Sequence, residues 1–119
     1  MQPAAGSGWI VAQCTWSGAN LSASLALGTA ASFAAKGVTG PISDWVAQRR
    51  DSDAKILNVA DIAGVGEGGY EIVGRSPVAI VYGGGGSVLV QVIVAPRVGT
   101  VDAAVPRALA QKALATATR

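Results

Sequence analysis

The chain has 119 residues, a net charge of +2 and 13% charged side chains, enough for one domain but without the basic patch or stripe of a nucleic-acid binder. Its one tight basic pair, Arg49-Arg50, is followed at once by Asp51 and Asp53. Half of the residues are hydrophobic, yet the longest uncharged stretch, Met1 to Ala35, is broken by glycines, serines, Pro3 and Asn20, so no spanning helix of about 20 apolar residues is expected.

Residues 1–8 are small and polar and are expected to be extended or disordered ahead of a single domain over 9–119. Trp9 to Trp16 reads as a strand with Ile10, Ala12, Cys14 and Trp16 on one face, which assigns Trp16 to the core. After the turn residues Ser17-Gly18-Ala19-Asn20, Leu21 to Leu27 alternates, with Leu21, Ala23, Leu25 and Leu27 inward and Ser22 and Ser24 outward. These two runs make a first hairpin.

Thr29 is placed to cap a helical stretch anchored by Phe33 and interrupted by Gly37 and Gly40. Pro41 suits the first turn of a second short helix carrying Trp45 and Val46. Lys55 to Ala63 reads as a strand or extended connection, Gly64 to Gly69 as a loop and Tyr70 to Val73 as a short strand. Pro77 to Tyr82 and Ser87 to Ala95 are β-rich apolar runs around Gly83-Gly84-Gly85-Gly86, a long hairpin. Both faces of its strands are apolar, so it is expected to be covered on both sides. Finally, Thr100 or Asp102 caps a helix with Val101, Val105, Leu109 and Ala113 on one stripe; Pro106 is tolerated only near its start. The expected fold is α+β: a two-layer sandwich, an antiparallel sheet of four to six strands with helices packed on one face.

Several residues invite a chemical reading. Gly64-x-Gly66-x-x-Gly69 matches the dinucleotide fingerprint in letters, but it runs into a strand where that motif needs a helix N-terminus, so it reads as a loop. The four glycines at 83–86 lack a following Lys-Ser/Thr and read as a hairpin turn. Cys14 has no histidine partner anywhere in the chain and is expected to be a buried filler. The residues before it lack the basic start and apolar run of a lipoprotein signal, so lipidation is not expected. Glu67 and Glu71 form a conceivable acid–base pair with nothing in the sequence to tune them; Asp51 and Asp53 are expected to be solvated and Asp102 to cap its helix. With no histidine and one cysteine, no metal, cofactor or catalytic residue is assigned. Trp9 and Trp45 lie near the ends of predicted elements, and with Arg49 and Arg50 they make a candidate partner- or ligand-binding patch.

Gln13-Cys14-Thr15-Trp16, the serine-leucine strand after it, the Gly64 to Tyr70 loop and the long glycine-turned hairpin resemble, in this order, a family of small actinobacterial extracytoplasmic lipoprotein-type domains of unknown function. The resemblance covers roughly residues 9–115. It implies a bacterial, cell-envelope location; without it the expectation is cytoplasmic. The N-terminal helix and second cysteine of that family have no counterpart here, so Cys14 has no disulfide partner within the chain. A weaker similarity is to profilin-like and haem-degrading small α/β domains, without a histidine to hold haem.

The functional expectation is a non-catalytic binding or protein-interaction module acting on a protein partner or an apolar small ligand, with homo-oligomer formation compatible with its low charge. The alternative is a structural subunit of a shell, virion or other homo-oligomeric assembly. An enzyme without a recognisable active-site motif is the third reading, and the residues lean against it.

Overall fold

The computed structural model describes residues 10–35, 37, 41–62, 64–74, 76–96, 99, 101–102 and 104–117, with the backbone alone for Ile10. The expectations for residues 1–8, Trp9, Gly40 and Thr100 therefore lie outside the described residues. The elements are β1 (Ile10–Ser17), β2 (Leu21–Thr29), α1 (Ala30–Ala35), α2 (Ile42–Ala54), β3 (Asn58–Asp61), β4 (Gly68–Val73), β5 (Val78–Gly83), β6 (Val88–Pro96) and α3 (Ala104–Ala117).

The six strands form one sheet in the order β1-β2-β6-β5-β4-β3, and every neighbouring pair is antiparallel. The long glycine-turned hairpin is β5–β6, with Gly83 opposite Val88 and Val78 opposite Ile93. Its turn needs glycine: Gly84, Gly85 and Gly86 have φ of 66°, 70° and 79°, a left-handed path that side chains resist. β2 pairs with β6 over its whole length, from Leu21 opposite Pro96 to Thr29 opposite Val88. The first hairpin thereby joins the second, and the connection through α1 and α2 carries the chain to the far edge, where β3 begins.

Helix ends follow local chemistry. Thr29 and Ser32 cap α1 reciprocally: the Ser32 N–H donates to Thr29 Oγ1 (3.1 Å) and the Thr29 N–H to Ser32 Oγ (2.9 Å). α3 starts when the Ala104 N–H donates to Asp102 Oδ1 (2.9 Å), which makes Asp102 the cap. Pro106 sits in the first turn, where the helix does not need its missing N–H.

The α+β class and the antiparallel sheet with helices packed against it are as the sequence indicates. The helices divide between the two faces, however, and do not share one. α3 covers a core of Ala79, Val81, Val90, Val92 and Val94 through Ala110 and Leu114. On the opposite face Phe33 of α1 and Ile42 and Val46 of α2 close over Tyr70, Ile80 and Leu89. The physical reason is the alternation along β5 and β6: odd and even positions are both apolar in β5, and Leu89 interrupts the valines of β6, so both faces need cover. The result has three layers, α3, sheet and α1–α2.

Tyr70 is fully buried beneath α2, and its hydroxyl donates to Asp53 Oδ2 at 2.8 Å. Asp53, expected to be solvated, is half-buried by this contact and by the Arg49 guanidinium at 3.7 Å. Burial, reinforced by the bond to the Asp53 carboxylate, pushes the Tyr70 hydroxyl well above the ordinary tyrosine range. A raised folded-state pKa gives stability that is complete below the unfolded tyrosine value and lost as pH rises past it, because the unfolded chain gives up its proton first. Above pH ~10 the wild type should therefore lose up to about 1.4 kcal/mol per pH unit more than Tyr70→Phe. Urea unfolding midpoints at pH 9 to 11.5 test this; parallel declines for the two proteins would refute it.

Candidate functional site

One α-helix cannot cover this sheet. Six strands about 4.8 Å apart span roughly 24 Å, whereas a helix with its side chains is about 10 Å across. α3 lies on β5 and β6, and the same face of β1 and β2 is left beside it. There the even-numbered residues of β1 from Ala12 to Trp16 line up with odd-numbered ones of β2, Ala12 opposite Leu27 and Trp16 opposite Ala23. The period-two reading therefore has the correct face for Ala12, Cys14 and Trp16, whereas the register shift between Ile10 and Ala12 sets Ile10 opposite Gly28, out of that alternation. Its consequence is different: Trp16 is 50% exposed and Cys14 is exposed, where the alternation predicts burial for both. Periodicity identifies the side of the sheet but not how far the helical layer extends over it.

The uncovered strip is a groove of about 470 Å³. Ala12, Trp16, Leu25 and Leu27 supply the sheet side, and Leu109 and Ala113 of α3 form the opposite wall. Lys112 and Thr116 stand at the helix side as its polar members. Thr116 Oγ1 is tied to the Lys112 carbonyl (3.0 Å), while the Lys112 ammonium has no carboxylate partner among the described residues. Mostly apolar pockets of a few hundred Å³ with a few polar groups are the usual form of small-molecule sites.

The sequence-derived patch lies on the other face. Trp45 packs edge-on against Phe33, with ring centroids 5.0 Å apart, and the Arg49 guanidinium lies 5.6 Å from the Trp45 ring centre. This is an i,i+4 pair on α2, and Arg49 also reaches Asp53. Arg50 turns toward β3, where its Nε donates to Asp61 Oδ1, and its guanidinium lies 3.7 Å from Asp51. The structure thus brings Trp45 and Arg49 together and directs Arg50 to an adjacent strand. Both cations have internal anionic partners.

The two glutamates are occupied separately. Glu67 Oε2 accepts the Gly86 N–H at 2.8 Å and so braces the glycine turn. Glu71 is buried and accepts from Arg107 Nη2 through both oxygens, at 2.8 and 2.9 Å. Gly64 to Glu67 lie in the loop between the antiparallel strands β3 and β4, and Gly69 is inside β4, so the dinucleotide-like spacing runs into a strand and not into the helix that the motif requires. Among the described residues no group of three His, Cys, Asp or Glu side chains is placed to hold a metal. No helix among them is long and apolar enough to cross a membrane.

The groove is not legible in the sequence as a unit, although its parts are: the β1 alternation and the Leu109–Ala113 stripe. What joins them is the pairing of β2 with β6, which sets the first hairpin beside α3. Compared with family models, curated proteins and solved structures, the chain matches none of them.

Proposed function

We propose that the protein is a non-catalytic binding module that takes an apolar ligand with an anionic end in the groove between the first hairpin and α3. The observation that carries this reading is the apolar groove with Lys112, which has no carboxylate partner among the described residues, at its rim. The groove floor is built from the apolar side chains Ala12, Trp16, Leu25 and Leu27, which select a hydrocarbon body, and the ammonium supplies a charge for a carboxylate or similar head. The carboxylates that could act as acid or base are taken up by Gly86 and Arg107, which supports a binding role over a catalytic one. A cell-envelope location belongs to this proposal on the strength of the sequence resemblance over roughly residues 9–115 alone.

Decanoate and decanol are suitable probes, followed through tryptophan fluorescence and calorimetry. Both should bind, the carboxylate more tightly. Leu27→Asp should abolish binding of both. Lys112→Met should remove the preference for decanoate, a loss of about three- to fivefold, since an exposed ion pair contributes up to ~1 kcal/mol. Equal affinity of wild type and Leu27→Asp for either probe would overturn the assignment of the groove.

A further inference from the structure

The two edges of the sheet are built differently. β3 has four residues, ends in Asp61, and is flanked by Arg50 of α2. Short length and charge are the usual protection of a free edge. β1 has eight residues, IVAQCTWS, with neither charge nor proline. Exposed apolar side chains accompany it: Val11 is 54% exposed and Trp16 50%. Such an edge offers backbone groups for another strand to pair with.

We propose that β1 pairs antiparallel with β1 of a second copy, joining two six-stranded sheets into one of twelve across a twofold axis. The occupant follows from the residues of the strand. Directly opposed residues of an antiparallel pair have side chains on the same face, so two identical strands match faces only where opposed residue numbers are both even or both odd. The regular pairing of β1 with β2 runs from Ala12 to Ser17, with an irregularity between Ile10 and Ala12. The register that uses this regular part and stays within the strand puts Cys14 on the axis. Trp16 then lies opposite the partner's Ala12, and Gln13 opposite the partner's Thr15. The largest side chain of the strand meets the smallest, twice, with no like charges in opposition. A shift of the axis to Gln13 would pair Trp16 with the partner's Ile10 at the irregular end. A shift to Thr15 would carry Ala12 opposite the partner's Gly18, beyond the strand. No other six residues of the described chain combine an open edge with this self-complementarity.

Cys14, the one cysteine in the chain, reports on the register. Opposed residues in an antiparallel pair have Cα atoms about 4.5–5.5 Å apart, inside the range a disulfide bridges. Light scattering across a concentration series should show the mass rising from 11.8 kDa toward twice that value. Oxidation by diamide, which takes up the two electrons and two protons released as the thiols couple, should give a reducible Cys14–Cys14 dimer much faster in native protein than in urea. Gln13→Lys with Thr15→Lys places lysines opposite lysines across the axis and should weaken association at least tenfold while leaving the circular dichroism and the Leu27-dependent ligand binding unchanged. A monomer at all concentrations overturns the proposal, and so does a dimer whose Cys14 thiols remain uncoupled while accessible to a thiol reagent. Loss of the dimer leaves the groove reading standing, and loss of probe binding leaves the dimer standing, because the charge variant and Leu27→Asp report on them separately.

Discussion

Replacing Gly69 with alanine should lower the melting temperature by at least about 10 °C. Gly69 lies in β4, opposite Val81 of β5. A Cβ built there would fall within the contact distance of the Ile80 carbonyl oxygen, 2.8 Å from Val81 Cα and 3.0 Å from the Ile80 carbonyl carbon. All three are backbone atoms, so no rotamer change relieves the clash and the β4–β5 ladder itself must open. Overpacking a core ordinarily costs 1–3 kcal/mol; with an unyielding backbone the cost should be about 3 kcal/mol or more, a large fraction of a typical domain's stability. Gly74 provides the comparison, since a Cβ there meets nothing within 4 Å. Gly74→Ala should shift stability by no more than about 0.5 kcal/mol. Thermal unfolding of the two variants against wild type decides it: similar midpoints for all three would mean that β4 and β5 can separate without loss.

The sheet is legible in the sequence because its signal is local. Alternation in Leu21 to Leu27, two apolar runs about four glycines and the turn residues before Leu21 each describe hydrogen-bonded neighbours close in sequence. The division of helices between faces is half legible: the doubly apolar hairpin calls for cover on both sides, but nothing in the helices says which face each takes. Trp16 and Cys14 show the limit of periodicity, since their face is correct and their burial is not. The strip between β1 and α3 depends on the width of one helix against six strands, a property of the assembled layers. Asp53 is hidden for another reason. It stands in a charged run that reads as solvent-facing, and its partner Tyr70 lies 17 residues away. Glu71 gives the same lesson on the other face, where Arg107 is 36 residues distant. Polar pairs of this kind follow from tertiary placement, and only the oddity of a glutamate between Tyr70 and Ile72 on a buried strand hints at one.

That pair should respond unequally to loss of its two members. The Glu71 side chain is 9% exposed and faces α3, whose first turns present Arg107, 41% exposed. Arg107 Nη2 serves both carboxylate oxygens, while Nε is buried without an acceptor among the described residues. Taking a carboxylate out of water is costly and is offset only by a close, charge-assisted partner. In Arg107→Leu the carboxylate remains under α3 with that partner gone. The expected loss is about 3 kcal/mol, the lower end for a broken buried pair because water can reach the vacated place. In Glu71→Leu the buried charge disappears, the half-exposed guanidinium can turn outward, and the orphaned Nε gains access to water. That substitution should cost about 1 kcal/mol or less, and Glu71→Leu with Arg107→Leu should come close to wild type or exceed it. Urea unfolding of the four proteins gives the cycle, with a coupling energy of about 3 kcal/mol expected, the upper end for residues in direct contact. If Glu71→Leu were the more damaging single change, the pair would be holding α3 to the sheet by attraction, and the cost of stranding a carboxylate away from water would be the smaller of the two effects.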